Sequence, residues 1–143
     1  MENDMGRVLT EATIENLEDL WDARKGLLEA DRVRRIVVTD ALVDSGATTL
    51  SLPTRYIKQL GLKKVRERSG VSSAGKTTVN VYDAVRLTIQ GRDCPVEVAE
   101  VPDDVPVLIG QIPLEYLDFV VDMQGRRLVG NPAHGGEQVL EMY

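Results

Sequence analysis

Between Thr77 and Ile89 the chain alternates with a period of two. Val79, Val81, Val85, Leu87 and Ile89 occupy odd positions, and Thr78, Asn80, Tyr82, Arg86 and Thr88 occupy even ones. Successive side chains point to opposite faces only in an extended strand, so this run specifies a long, half-buried β-strand and excludes an amphipathic helix. Gln90 to Asp93 turns the chain, and Val96 and Val98 alternate again. Arg7–Ile14 reads as an earlier strand, and Val33–Ala47 as a long one entering a Ser-Gly turn. Val105–Gly110 is a short continuous apolar run, as expected of a strand buried on both faces. The segments "FVVD" and "RRLVG" flank Gly125 as a closing hairpin.

Three short helices punctuate these strands. Asn16 is placed to cap the first, with Glu18 and Asp19 in its opening turn, and Gly26 ends the element. Leu17, Leu20, Trp21 and Leu28 fall at near-helical spacing and read as packing residues. "SLPTRYIKQLGL" reads as a second helix, with Pro53 near its start, Ile57 and Leu60 on one face, and Gly61 as the stop beyond which Leu62 folds back. Gln111–Leu117, with Pro113 early, is the third. The class is all-β, mainly β with short helices.

At 143 residues and 43% hydrophobic content, the chain is expected to form one domain. A chain of this size buries roughly 68% of its unfolded surface, enough to stand without staples. The only cysteine, Cys94, can close no intrachain disulfide and reads as a small buried apolar residue, and no Cys/His cluster suggests zinc. Acidic residues outnumber basic ones 23 to 17, for a formal charge of −6, and aromatics are only 4%. Both features argue against a nucleic-acid partner. Lys63 to Arg68 alternates with apolar and acidic residues and reads as a solvated face. The start "MENDMGRVLTEATIEN" has neither a basic n-region nor an apolar run. Neither a signal peptide nor a membrane span is expected, and the expected location is cytoplasmic.

Residues 70–77, "GVSSAGKT", satisfy the phosphate-loop pattern at every specified position. A working phosphate loop, however, is followed by a helix whose N-terminus holds the anion. A helix beginning at Lys76 would gather Val79, Tyr82, Asp83 and Arg86 on one face, which is no core. The string therefore reads as the tip of a hairpin joining Val65–Ser72 to Thr77–Ile89, and nucleotide binding ranks last among the functional readings.

The richer constellation is "ALVDSGATTLSLP". By itself Asp44 could simply cap its own turn. Its carboxylate, however, emerges at the end of an apolar strand, with Gly46 permitting a sharp turn and Ala47 and Leu50 beside it. With Asp44-Ser45-Gly46-Ala47, a Gly-containing hairpin around Ser72–Lys76, and Leu108-Ile109-Gly110 before a helix, the chain resembles the retropepsin-type aspartic proteases, including their small soluble bacterial relatives. The three elements stand in that family's order and extend from Val33 to about Asp122.

The resemblance implies a single-lobed, half-barrel acid-protease fold over residues 1–143. Within it, 16–30 is an insert, 70–78 a flap hairpin and 131–143 a C-terminal tail. A single Asp-Ser-Gly implies a homodimer in which each copy contributes Asp44 to a catalytic dyad acting on a peptide or protein substrate, with no metal or cofactor. Ser45 would brace the two active-site loops, and Gly46 and Ala47 would present backbone groups to substrate. Ser73, Ala74 and Gly75 would close over the peptide, and Leu108, Ile109 and Gly110 would pack beneath the catalytic loop. Thr48 and Thr49 stand where retroviral enzymes often carry acidic residues, so no interchain ion pair is implied there. A catalytically silent, peptide-binding dimer of the same fold is the alternative. His134 reads as a loop residue, Asp122 as part of the closing hairpin, Asp40 and Asp83 as solvent-facing or turn residues, and Asp103 with Asp104 as a polar loop.

Overall fold

The computed structural model describes residues 7–72 and 75–139. Nine strands and three helices follow in the order β1 (Leu9–Asn16), α1 (Leu17–Arg24), β2 (Arg35–Val43), β3 (Leu50–Pro53), α2 (Thr54–Leu60), β4 (Lys64–Ser72), β5 (Gly75–Ile89), β6 (Arg92–Val101), β7 (Leu108–Ile109), α3 (Gln111–Tyr116), β8 (Phe119–Asp122) and β9 (Arg127–Gly130). The main sheet runs β1-β2-β7-β3-β6-β5-β4, and β1 also pairs with β5. The sheet thus closes into a ring of six strands, with β4 outside it. The fold is mainly β with short helices, in keeping with a single acid-protease lobe. No helix among the described residues is long and apolar enough to cross a membrane.

Ring closure depends on β5, the strand of the alternating run. Its first part, Gly75–Tyr82, pairs with β4, and its second, Val85–Thr88, pairs with β1. The pairing with β6 shifts register between Tyr82 and Val85. An extra residue at such a bulge bends the strand, so one half of β5 joins the ring while the other carries β4 as a projecting hairpin. The odd residues Val81, Val85, Leu87 and Ile89 are buried, together with Ile14, Leu50, Leu52, Leu60, Val98, Ile109 and Leu117. Gln90 and Gly91 have φ of 50° and 77° and join Ile89 to Arg92, a two-residue reversal whose twist suits flanking strands. Cys94 is buried among these side chains, and burial pushes its thiol up to about 11.

Several local expectations change in the tertiary context. Leu50–Pro53 is a strand, parallel to β6 and antiparallel to β7, and the helix begins only at Thr54. Two neighbouring strands satisfy its backbone, which favours it over a helical turn. The apolar run Val105–Gly110 contributes only Leu108 and Ile109 to the sheet, wedged between β2 and β3. The first strand extends to Asn16, and the second is confined to Arg35–Val43.

Helix α1 also departs from the packing expected of it. Asn16 does cap it, its Oδ1 accepting from the Asp19 N–H at 3.0 Å. Trp21, however, is 48% exposed, and the buried residue of the helix is Asp19. Arg34 donates to both Asp19 carboxylate oxygens, at 2.9 and 3.0 Å, and its backbone N–H adds a third bond at 3.0 Å. The Arg34 guanidinium holds the Asp19 carboxyl below its ordinary value. The helix is therefore fastened by a bidentate ion pair, the stronger kind of charge-assisted contact.

Candidate active site

Strand β2 ends at Val43, and the chain then leaves the sheet in the loop 44–49. Parallel pairing of Leu42 with Leu108 and Val43 with Ile109 sets the starting point of that loop. The Asp44 N–H donates to the Ile109 carbonyl at 2.9 Å, and the Asp44 carbonyl accepts from Ala47 N–H at 3.0 Å. The Asp44 Oδ1 accepts from Gly46 N–H at 2.9 Å, the local turn expected of Asp before Ser-Gly. Among the described residues Oδ2 has no hydrogen-bond partner, which leaves one side of a half-buried carboxylate available to an external molecule.

Two further bonds lock the far side of the loop. The first N–H groups of α3 lack partners within the helix, and Gln111 and Ile112 donate theirs to the carbonyls of Ala47 and Thr48 at 2.8 and 2.9 Å. Between these contacts Gly110 presses directly on the loop. A Cβ added there would lie 2.3 Å from the Thr49 oxygen and 2.7 Å from the Ala47 oxygen. The obstacles are backbone atoms, so glycine is required by close approach. Its φ of −89° is ordinary and makes no such demand. Thr49 Oγ1 completes the attachment by donating to the Glu97 carbonyl of β6 at 2.8 Å.

A cleft of ≈ 540 Å³ adjoins this loop. Gly46 to Thr49 form one wall, Arg68, Ser69, Val79 and Val81 of the β4–β5 hairpin form another, and β6 residues including Glu97, Ala99 and Glu100 lie between them. Ser45 and Gly46 are exposed, and Ala47 is half-buried. Ser72 pairs with Gly75 across the end of the hairpin. Gly75 has φ of +112°, and a Cβ added there would meet nothing within 4 Å, while Ser73 and Ala74 lie outside the described residues. The phosphate-loop string thus runs from β4 into β5, and a strand follows Lys76 where a nucleotide site needs a helix.

The cleft also contains residues that sequence reasoning did not single out. Glu100, on β6, accepts from Thr54 Oγ1 at 2.7 Å, Asn80 Nδ2 at 2.9 Å and Tyr82 Oη at 3.2 Å. These donors, led by Asn80, hold its carboxyl below the usual value despite partial burial. Burial and the neighbouring Glu100 charge raise the Tyr82 hydroxyl. Glu97 forms an ion pair with Arg66. The period of β6 sets Glu97 between the buried Val96 and Val98 and so on the opposite face, whereas Glu100 falls in phase with those valines and turns to Asn80 and Tyr82. Assigning Glu97 to a cleft required knowing what covers that face.

The remaining candidates are engaged elsewhere. His134 is more than a loop residue: it ends the 3-10 turn Pro132–His134, and its Nδ1 lies 2.6 Å from Asp118 Oδ2. Asp122 accepts from Gly125 N–H inside the β8–β9 turn. Asp103 accepts from Arg55 N–H and pairs with its guanidinium. Among the described residues no group of three or more His, Cys, Asp or Glu side chains is placed to hold a metal ion.

A family model described as aspartyl protease matches residues 35–112, more than half of the 143-residue chain. The protein belongs to the aspartyl protease family. The matched span opens at the first residue of β2 and closes within α3, so it contains the Asp44 loop, the β4–β5 hairpin and the Leu108–Gly110 segment. Membership in this family supports a peptidase of the aspartic type. The search of curated proteins found no match.

Proposed function

We propose that this aspartyl protease is an endopeptidase whose catalytic dyad consists of Asp44 from each of two identical subunits. The observation that carries the proposal is the Asp44 carboxylate itself. One oxygen is fixed by Gly46 N–H and the other is without a partner among the described residues, on a loop locked against Ile109–Ile112 beside a peptide-sized cleft. The chain contains a single Asp-Ser-Gly, so the second carboxylate must come from another copy.

Two carboxylates within hydrogen-bonding distance cannot both ionise cheaply, and they titrate as a pair sharing one proton. The ionised member takes a proton from a water molecule as it attacks the scissile carbonyl. The protonated member donates to the carbonyl oxygen as negative charge develops there, and a proton then passes to the leaving nitrogen. Ser45 would brace the paired loops, and the exposed backbone at Gly46 and Ala47 would meet an extended peptide. The hairpin tip at residues 73–75 would close over that peptide as an added strand. Gly110, with Leu108 and Ile109, would keep the carboxylate in position from below.

Asp44→Asn tests the proposal. The variant should retain the fold and the dimer while losing roughly a thousandfold or more of peptide cleavage, the scale of acid–base catalysis by a positioned group. Undiminished cleavage would overturn it. Sedimentation showing only monomer under conditions of active cleavage would remove the shared dyad.

A further inference from the structure

We propose that Arg68 is a specificity-determining residue of the cleft, selecting peptides that place a glutamate or aspartate side chain against the β4–β5 hairpin. The inference rests on the cleft being the peptide site. Directly paired residues of neighbouring antiparallel strands share one face of a sheet. Arg68 pairs with Val79, Arg66 with Val81, and Val81 in turn with Ala99. Arg66 also reaches past β5 to form an ion pair with Glu97 of β6, two residues from Ala99 and so on the same face. Strand pairing, ion pair and cleft lining therefore agree: Arg68 stands on the face that Val79, Val81 and Ala99 present to the cleft.

The other charges at the cleft are already answered. Arg66 neutralises Glu97, and the Glu100 carboxylate lies on the opposite face of the sheet, held by Thr54, Asn80 and Tyr82. The Arg68 guanidinium has no ion-pair or hydrogen-bond partner among the described residues. It stays charged at every working pH and presents a planar fork of donors that matches a carboxylate. Val79 and Val81 supply apolar wall beside it, against which the methylene groups of a glutamate can pack while its head meets the cation. Arg68 is exposed in the unliganded protein, but a peptide held between the hairpin and the loop 44–49 displaces water from the pair, and a lower local dielectric strengthens it. The net charge of −6 opposes acidic peptides at long range. That field is screened within about 8 Å at physiological ionic strength, so the local contact decides.

The test uses an end-blocked, otherwise uncharged decapeptide in which a single glutamate, or its uncharged isostere glutamine, is walked through each position. Assay at about pH 6 keeps the glutamate ionised, since its ordinary pKa is roughly 4.3. With the native protein, the best glutamate peptide should be cleaved with a kcat/KM roughly fivefold above its glutamine counterpart, the upper range for an exposed ion pair. Arg68→Gln should bring that ratio close to one, and Arg68→Glu should make a lysine peptide the better substrate at the same position. Cleavage of both series without preference at any position would overturn the inference and leave the peptidase reading standing, as would a glutamate preference that survives Arg68→Gln undiminished. Glutamate-selective binding that is lost in Arg68→Gln, with no peptide cleaved, would remove the peptidase reading and leave Arg68 as the selector. Binding of neither peptide would overturn the inference. The native comparison needs no variant, so a destabilised Arg68→Gln cannot mask the result.

Discussion

The loop 44–49 and the β4–β5 hairpin face each other across one cleft and are held in opposite ways. The loop is short and irregular, yet Asp44, Gln111 and Ile112 tie its backbone to the segment 109–112 through three hydrogen bonds, and Gly110 lets the two segments touch. The hairpin is regular, but among the described residues β4 pairs only with β5, Val71 is 84% exposed, and a Cβ added at Gly75 would meet nothing within 4 Å. Regular secondary structure is therefore no guide to stiffness here. Stiffness follows from how many independent elements hold a segment. The proposed chemistry needs both kinds of wall, because a proton-transferring carboxylate must be positioned closely while a peptide must be admitted and covered.

The largest expected effect comes from loosening the rigid wall. Gly110→Ala forces a methyl group against the Thr49 and Ala47 carbonyls, backbone that cannot rotate away. Overpacking of this kind costs about 3 kcal/mol. Thermal unfolding should show a melting temperature lower by roughly 10 °C, with kcat falling further than stability alone accounts for. An unchanged melting temperature would mean that the loop yields easily, and the contrast between the walls would fail.

The matching change in the hairpin should be milder. Gly75→Ala meets no neighbouring atom, but it places a side chain at φ +112°, a backbone region costing roughly 1–3 kcal/mol for a non-glycine residue. The hairpin end can open locally without unfolding the ring, so global stability should fall by about 1 kcal/mol or less, and the effect should appear as a raised KM. A loss of stability equal to that of Gly110→Ala would show that the hairpin is as firmly integrated as the loop.

Hydrogen exchange compares the walls without mutation. The amides of Asp44, Gln111 and Ile112 should exchange at least roughly tenfold more slowly than those of residues 70–77, since local opening is cheapest where few elements contribute. Equal protection would contradict the comparison.

The smallest effect concerns Asp118, just beyond α3. Its carboxylate accepts from His134 Nδ1, from Asn131 Nδ2 at 3.2 Å and from Val139 N–H at 3.0 Å. The His134 contact, first among these, holds its carboxyl below the unfolded value of 3.8. Its contribution is therefore complete above the unfolded value and is lost as pH falls through the lower folded one. The acid limb of the stability curve should be shallower in Asp118→Asn than in the native protein. Identical acid limbs would mean that this contact contributes nothing to stability.

Much of this arrangement was legible in advance, for a consistent reason. The Asn16 cap, the Gly61 helix stop and the Gln90–Gly91 reversal depend on residues within a few positions of one another. So does the Asp44 turn, whose acceptor and donor are two residues apart. Less legible were elements whose partners are remote. Leu50–Pro53 is a strand because β6 and β7 flank it, and Trp21 is exposed because Arg34 draws Asp19 inward in its place. Glu100 lay unnoticed in an alternating strand, since its three donors stand between 18 and 46 residues away.

By itself, then, the sequence determined the strand-rich character of the chain, its turns and caps, and the Asp-Ser-Gly-Ala carboxylate, because periodicity and turn chemistry act over short range. Tertiary structure alone decided that β5 bends between Tyr82 and Val85 to close the ring, and that Gly110 lies against the Asp44 loop. It also decided that Thr54, Asn80 and Tyr82 converge on the Glu100 carboxylate. Each of these depends on backbone and side-chain partners brought together from distant parts of the chain, which no local pattern encodes.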